Sequence, residues 1–292
     1  GPELTDVYSI YIAPDSSYYW VEFEGGSAQM YGRDGNRIGP ELNDIISITI
    51  APDSSYYWVR FEDGSAQMYG RNGNRIGPEL NDAWSIYIAP DSSYNWVRFE
   101  DDSAQMYGRD GNRIGPELTD IISITIAPDS SYYWVRFIGD RARMYGRDGA
   151  RPQLPDVVSI TIAPDSSYYW VRFIGGRARM YGRDGAPIGP QLPDVVSITI
   201  APNSSYSWVR FVGGKARMYG RSGNAISPEL NDVVWNVDIA PDSSYYWVKF
   251  IGGKAQMYAM DYNQTVEQSL FLRSIYQDNK TYSIRADSVL YK

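Results

Sequence analysis

A tryptophan recurs along this chain at a nearly constant interval, and that interval constrains the fold more than any other feature. The intervals are 36 to 39 residues long, and they separate Trp20, Trp58, Trp96, Trp134, Trp170, Trp208 and Trp247. The surrounding segments repeat as well, and the copy at residues 39–76 reads GPELNDIISITIAPDSSYYWVRFEDGSAQMYGRNGNRI. A fixed period of this length is typical of a repeat protein in which each copy is one small supersecondary unit.

Each copy predicts a meander of three or four antiparallel strands. In the copy at 39–76, residues 45–50 alternate and are β-branched, and residues 56–61 and 65–71 are two further extended segments. Pro-Asp-Ser-Ser and Glu-Asp-Gly between these segments are typical of tight turns. The state of the fourth segment, residues 75–80, is left open by its sequence. Since no connection is long enough for a helical crossover, consecutive strands must be antiparallel.

Simple strand pairing predicts two different faces for this sheet. One face carries Ile46, Ile48, Ile50, Val59, Phe61, Ala66 and Met68. The other carries Ser47, Thr49, Tyr56, Trp58, Arg60, Gln67 and Tyr69. Because soluble proteins avoid large exposed apolar patches, we expect each sheet to be packed between its neighbours. This predicts an all-β fold of seven meanders over residues 1–260, a seven-bladed β-propeller with one copy per blade; the alternative is an open stack of β-hairpins or a β-solenoid.

The end of the chain departs from the repeat. Residues 261–292 do not repeat, and we expect them to form a C-terminal cap or tail, because terminal units of repeat arrays differ from internal ones. Within this segment Val266, Leu270 and Ile275 have helical spacing, and residues 282–291 are strand-like. A linker remnant is the alternative interpretation. Copy seven also carries one extra residue in 234–239, which we interpret as a β-bulge.

Composition argues against catalysis and against metal or cofactor binding. The chain has no Cys and no His, which excludes disulfides and thiolate metal sites and removes the commonest general base. We recognise no phosphate-binding loop, nucleophile elbow or metal-ligand cluster, and near-identical copies give their carboxylates near-identical surroundings. We therefore predict no catalytic residue, no metal and no cofactor. A hydrolase or lyase with carboxylates in a central channel remains a further alternative.

Charge is unevenly distributed along the chain. Residues 1–114 carry 18 acidic and 8 basic side chains, whereas residues 115–260 carry 13 and 15. The change occurs in one hairpin, which starts with Glu in copies one to three and with Ile or Val in later copies. We attribute it to drift on a solvated turn. A net charge of −8 does not favour nucleic acid binding, and the absence of a run of about 18 apolar residues argues against membrane insertion. No leader is visible, and we favour an extracellular or cell-surface location.

The repeated aromatic and arginine side chains are the candidate ligand-binding residues. An indole can stack on the apolar face of a sugar ring, while phenol and guanidinium groups can bond its hydroxyls. The predicted set is Trp20, Trp58, Trp96, Trp134, Trp170, Trp208, Trp247, Arg60, Arg98, Arg136, Arg172, Arg210, Tyr31, Tyr69, Tyr107, Tyr145, Tyr181, Tyr219 and Tyr258. It predicts a multivalent, lectin-like propeller that binds a glycan or cell-surface ligand by avidity. The Tyr- and Trp-rich hairpins followed by Asp-Gly also resemble bacterial cell-wall and glucan-binding repeats, although those units are shorter.

The same residues have a structural interpretation. The tryptophans would pack between sheets, Arg60 and its equivalents would pair with a carboxylate of a neighbouring copy such as Asp53 or Asp91, and the turn aspartates would cap their turns. The protein would then be a protein-interaction or structural scaffold with buried aromatics, and its partner would be another protein. The exposure of the tryptophans distinguishes the two hypotheses.

Overall fold

The computed structural model of the chain describes residues 3–146 and 149–260, apart from the side chains of 149–152. By its internal contacts the chain divides into two compact units, Gly1–Leu192 and Pro193–Lys292. The first unit holds sheets one to five and the second holds sheets six and seven. The predicted cap and its helix and strand lie outside the described residues.

The described residues form 26 strands in seven sheets, one sheet per copy. Sheets one and two contain β1 (Val7–Ile12), β2 (Tyr18–Phe23), β3 (Ala28–Gly32), β4 (Arg37–Leu42), β5 (Ile45–Ile50), β6 (Tyr56–Phe61), β7 (Ala66–Gly70) and β8 (Arg75–Leu80). Sheets three and four contain β9 (Ala83–Ile88), β10 (Tyr94–Phe99), β11 (Ala104–Gly108), β12 (Arg113–Leu118), β13 (Ile121–Ile126), β14 (Tyr132–Phe137), β15 (Arg141–Gly146) and β16 (Gly149–Leu154). Sheet five contains β17 (Val157–Ile162), β18 (Tyr168–Phe173), β19 (Ala178–Gly182) and β20 (Pro187–Leu192). Sheets six and seven contain β21 (Val195–Ile200), β22 (Tyr206–Phe211), β23 (Lys215–Gly220), β24 (Asp238–Ile239), β25 (Tyr245–Lys249) and β26 (Ala255–Ala259).

Strand order within each sheet follows the chain, so the predicted antiparallel meander is confirmed. The segment whose state was open from sequence is a fourth strand in sheets one to five. In β4, Ile38 lies opposite Met30 and Leu42 lies opposite Ala28. Gly39, between these pairs, adopts a φ of 66° within a register shift. That irregularity lets a Gly-Pro pair, which weakens a regular ladder, remain in a strand.

A β-bulge interrupts the first strand of sheets one to six at its second residue. In sheet two, Ile45 lies opposite Phe61 and Ser47 lies opposite Arg60, which leaves Ile46 without an opposite residue. Ile46 is therefore exposed rather than part of an apolar face. In copy seven the extra residue widens the interruption, and strand pairing resumes only at β24.

The face assignment predicted by simple pairing is wrong for the third strand. Met68 lies opposite Trp58 and Ala66 lies opposite Arg60, because the hairpin shifts the register by one residue. A one-residue shift moves every side chain of that strand to the other face. The face that contains the tryptophan, here called the Trp face, carries Thr49, Tyr56, Trp58, Arg60, Ala66 and Met68. The opposite face, here called the Val face, carries Ile48, Ile50, Tyr57, Val59, Gln67 and Tyr69.

Neighbouring sheets of the same unit pack the Trp face of one against the Val face of the next. Between sheets one and two, Trp20 and Met30 share a buried cluster with Ile48, Tyr57 and Val59. The same pairing recurs between sheets two and three, three and four, four and five, and six and seven. The predicted packing between neighbours is therefore confirmed within each unit.

Candidate functional site

The seven repeat tryptophans are not accessible platforms. Six of them are only 1–2% exposed, and Trp247 is half-buried. A sugar ring could reach a buried indole only if two sheets separated. The binding role of these residues therefore stays a prediction for which the structure provides no open surface.

Five of the repeat tryptophans pack against an aromatic ring of the next sheet in their unit, four of them edge-on and Trp208 at a tilt. The ring centroids of Trp20 and Tyr57 are 5.0 Å apart at an interplanar angle of 69°. Copy three has Asn95 in place of this tyrosine, and Trp58 instead contacts Tyr107 with centroids 6.2 Å apart. Edge-on aromatic pairs contribute about 0.5–1.5 kcal/mol beyond their area of burial. The position that holds Tyr57 in copy two and Asn95 in copy three varies between copies. Where it holds a tyrosine, as in copy two, that ring contacts the tryptophan of the preceding sheet.

The predicted tyrosines of the third strand lie on the Val face, apart from the tryptophan of their own copy. Tyr69 stacks on Tyr57 with centroids 5.4 Å apart and rings 7° from parallel. Tyr258 stacks on Tyr246 in the same way. Burial raises the pKa of Tyr69, so its hydroxyl remains neutral. Tyr31, Tyr69, Tyr107, Tyr181, Tyr219 and Tyr258 are buried, and Tyr145 is half-buried.

The predicted arginines are half-buried on the Trp face, and Arg60 and Arg210 bridge to the backbone of the next copy rather than to the expected carboxylates. The Nε of Arg60 donates to the carbonyl of Ala83 in sheet three at 3.0 Å. The Nη1 of Arg210 similarly donates to the carbonyl of Val234 in sheet seven. Arg98 forms an ion pair with Asp102 of its own hairpin. Arg136 and Arg172 occupy the equivalent, half-buried position. The expected pairing of Arg60 with Asp53 or Asp91 is therefore wrong.

The carboxylate of the Pro-Asp-Ser-Ser turn caps that turn, as predicted. Asp53 Oδ1 accepts bonds from the Ser55 amide at 3.0 Å and the Ser55 hydroxyl at 2.6 Å. The same bonds from Ser17 lower the pKa of Asp15 below its usual value. Asn203 accepts equivalent bonds in copy six, which explains why Asp and Asn exchange at this position.

The first serine of this turn links neighbouring sheets, a role that the sequence analysis missed. Ser54 is fully buried at a φ of 60°, and its Oγ accepts a bond from the Asp15 amide of sheet one at 3.1 Å. The same link joins sheets two to three, three to four, four to five, and six to seven. The sequence signal for this link was that the first serine is present in every copy, although the aspartate cap of the turn does not use it. Near it, Arg109 of sheet three pairs with Asp53 at 2.8 Å, so the carboxylate expected to meet Arg60 meets a different arginine.

The corresponding edge of each sheet carries an apolar side chain at a repeated position, which the sequence analysis also missed. We call this part of each sheet its bulge edge, and it consists of the residue at the bulge and the first residue of the turn between the second and third strands. The bulge residues of sheets one to six are Tyr8, Ile46, Trp84, Ile122, Val158 and Val196, of which Ile122 and Val196 are half-buried. In copy seven Trp235 lies within the wider interruption of the first strand. The hairpin residues are Glu24, Glu62, Glu100, Ile138, Ile174, Val212 and Ile251. Tyr8, Trp84 and Trp235 are 73%, 57% and 67% exposed.

Two shallow depressions, one in sheet two and one in sheet seven, are lined in part by the same hairpin turn of the repeat and have opposite charge. The first, about 480 Å³ in sheet two, is lined by Asn43, Asp44, Phe61, Glu62, Asp63, Ser65, Arg75 and Glu79. The second, about 400 Å³ in sheet seven, is lined by Val234, Trp235, Lys249, Phe250, Ile251, Gly252, Gly253, Lys254 and Ala255. The first lining has four carboxylates and one arginine, whereas the second has two lysines and no carboxylate.

Neither metal nor membrane chemistry is indicated in the ranges that the structure covers. No group of three or more Asp or Glu side chains among the described residues is arranged to hold a metal ion. Within the same ranges, no helix has the length and apolar character needed to cross a membrane. The predicted absence of catalytic residues stays a prediction.

Comparison with known proteins identifies the fold and no family. No protein-family model and no curated protein matches the chain. Hsv2p of Kluyveromyces lactis is similar in structure, with a TM-score of 0.51 and 12% identity over 93% of this chain and 98% of that one. The C-terminal WD40 domain of Sif2 has a TM-score of 0.48 and 12% identity over 89% and 84%. The Cps50 (Swd1) β-propeller domain has a TM-score of 0.44 and 6% identity over 89% and 98%.

The class of the protein follows from its sheets. Seven consecutive antiparallel meanders, packed face to face within each unit, define a seven-bladed β-propeller. The predicted fold class is therefore confirmed. Identities of 12% or less relate to the fold and carry no ligand or partner to this chain.

Proposed function

We propose that this protein is a protein-interaction scaffold that binds its partners along the bulge edge. The observation that carries the proposal is a difference in exposure between two groups of its tryptophans. Six of the seven repeat tryptophans are buried, whereas Trp84 and Trp235, which do not belong to the repeat, are exposed, each at the bulge edge of its own sheet. Exposed aromatic residues are the side chains most often found at the energetic centres of protein interfaces.

The form of the edge also supports this function. Every bulge residue is a large apolar or aromatic side chain, although a bulge by itself demands no particular residue type. The amide of each following hairpin residue is held by a backbone carbonyl, as in the 2.7 Å bond from Glu62 to Asp44. Rigid backbone under exposed apolar side chains lowers the entropy lost when a partner binds.

Carbohydrate binding receives less support than scaffolding. A lectin that used the predicted residues would need them on the surface, and most of their rings are buried in contacts within a sheet or between neighbouring sheets. The scaffold hypothesis needs no such exposure. Sugar binding is therefore retained as an outcome of the test.

The test compares the full chain with two double variants. In the edge variant Trp84→Ser and Trp235→Ser remove the exposed rings; in the control variant Glu41→Ser and Glu117→Ser alter exposed positions on fourth strands. Each protein is used to capture partners from an extract of its source, and captured proteins are then purified and titrated against all three. We expect at least one purified partner to bind the wild type and control equally and the edge variant about tenfold more weakly or worse.

Two results would contradict the proposal. One is a purified partner set that binds the edge variant as tightly as the wild type. The other is a sugar that is bound specifically on a glycan array, binds the edge variant as tightly as the wild type, and protects the tryptophan fluorescence of the protein from quenching. Circular dichroism and the melting temperature of each variant check that the fold is retained.

A further inference from the structure

We infer that the depression in sheet two binds a cationic side chain of an extended partner segment. Ile46 and Trp84 would contact apolar side chains of the same segment on either side. The inference rests on the proposed function, because it concerns the same bulge edge, and it specifies the chemistry of the partner there.

The depression combines a concave shape with an excess of negative charge. Its lining includes Asp44, Glu62, Asp63 and Glu79, against the single cation Arg75. Arg75 already pairs with Glu79 at 3.4 Å. Among the described residues no cation pairs with Glu62, so one exposed carboxylate at the rim remains for an incoming lysine or arginine. The ring of Phe61 forms part of the wall, and a long cationic side chain can lay its methylenes on such a surface.

The charge extends beyond sheet two in the direction of its neighbours. Glu24 in sheet one and Glu100 in sheet three occupy the same hairpin position as Glu62, and all three are exposed. Residues 1–114 as a whole carry 18 acidic and 8 basic side chains. Such a surface repels phosphate backbones and attracts basic segments. The exposed Trp84 ring adds an aromatic face on which a cation or an apolar side chain can rest.

The repeat also predicts the spacing of cations in the partner. Packed sheets lie about 10 Å apart. A segment in the extended polyproline II conformation rises about 3.1 Å per residue with three residues per turn, so every third side chain lies on the same face. Three residues of an extended segment therefore span one sheet-to-sheet interval. A partner with Lys or Arg at every third residue would place one cation at each of Glu24, Glu62 and Glu100.

Sheet seven provides an internal control for this inference. Its depression includes the same hairpin turn, with Phe250 for Phe61 and Ile251 for Glu62, and has no counterpart of Arg75 or Glu79 in its lining. Its charged lining residues are Lys249 and Lys254. A cationic segment that recognised only the apolar character of the edge would bind both places, whereas one that recognised charge would bind sheet two.

The experiment titrates the full chain with a blocked peptide of three Lys-Gly-Leu triplets and measures the dissociation constant by calorimetry at low salt. We expect Glu62→Lys to weaken binding about tenfold, because reversing the charge replaces an attraction with a repulsion. The loss and the repulsion together correspond to about 1.4 kcal/mol. Trp84→Ser should weaken it severalfold. Lys254→Glu, the matched reversal in sheet seven, should change it less than twofold. Raising the salt concentration should weaken binding to the wild type more than binding to Glu62→Lys, which has lost one of the attractions.

Three outcomes would overturn the inference. They are no measurable binding, equal binding of a peptide with Glu in place of Lys, or equal effects of Glu62→Lys and Lys254→Glu. If the peptide fails but Trp84→Ser and Trp235→Ser still abolish partner capture, the cationic inference is wrong and the scaffold remains. A peptide with the three lysines adjacent tests the spacing, and binding as tight as that of the triplet peptide would contradict the register.

Discussion

At the scale of single residues, the Pro-Asp-Ser-Ser turn explains its aspartate, which is Asn203 in copy six, and its two invariant serines by two kinds of contact. The aspartate accepts bonds from the second serine, and the first serine accepts a bond from the preceding sheet. Capping was predictable because Asp and Asn exchange at one position of a turn. The link between sheets was not, because its partner is a backbone amide 39 residues away.

Replacing Ser54 by alanine should destabilise the protein by about 1–2 kcal/mol, because the Asp15 amide loses its partner in a buried turn. Ser54→Gly loses the same bond but relaxes a left-handed backbone at a φ of 60°, which offsets about 1 kcal/mol. The glycine variant should therefore be the more stable of the two. Chemical unfolding of both variants measures the difference, and equal stability of the alanine variant and the wild type would contradict the role of this link.

At the scale of strands and sheets, the existence of each strand was easier to predict than the register in which it pairs with its neighbour. Alternating β-branched residues and turn motifs predicted the strands of sheet two, because strand formation depends on local pattern. The side to which Ala66 and Met68 point depends on one residue in a hairpin, and local pattern does not record it. For the same reason Ile46 resembled a core residue until the bulge was known.

Two glycines provide a matched test of how closely the sheets approach one another. Gly77 has a φ of 66°, and a Cβ there would lie 2.9 Å from both the Cα and the carbonyl oxygen of Gly111 in the next sheet. Gly64 has a φ of 82°, but its Cβ would lie no nearer than 3.9 Å to a neighbour. Both substitutions by alanine strain the backbone by about 1 kcal/mol, and Gly77→Ala adds a backbone clash worth about 1–3 kcal/mol.

Calorimetric melting of the two alanine variants checks this expectation. Gly77→Ala should melt several degrees below Gly64→Ala. Equal decreases in melting temperature would mean that sheets two and three separate easily at this contact, and that the approach of Gly77 to Gly111 contributes little to stability.

At the scale of the whole molecule, the interfaces depend on many buried tyrosines whose pKa values are raised. Burial raises the pKa of Tyr56 to about 12, and it raises the pKa of Tyr57 and Tyr132 as well. A tyrosine whose pKa is higher in the folded state stabilises the fold fully below pH 10, and this contribution is lost as the pH rises from 10 towards 12. We expect the melting temperature to fall steeply over that range.

Absorbance titration of tyrosinate together with circular dichroism measures this coupling. Ionisation of the buried tyrosines should coincide with loss of the native spectrum. Full ionisation of all 26 tyrosines near pH 10 in a protein that remains folded would contradict the burial on which the interfaces depend.

The two classes of aromatic residue in the molecule can be separated by one fluorescence measurement. Of the nine tryptophans, Trp84 and Trp235 lie on the bulge edge and the other seven belong to the repeat. In a Trp84→Phe, Trp235→Phe variant, emission comes from the repeat tryptophans alone. We predict blue-shifted emission that acrylamide quenches only weakly and that sugars leave unchanged, because six of these seven indoles are buried and Trp247 is half-buried. Red-shifted, readily quenched emission that a sugar protects would contradict the account and restore the lectin hypothesis.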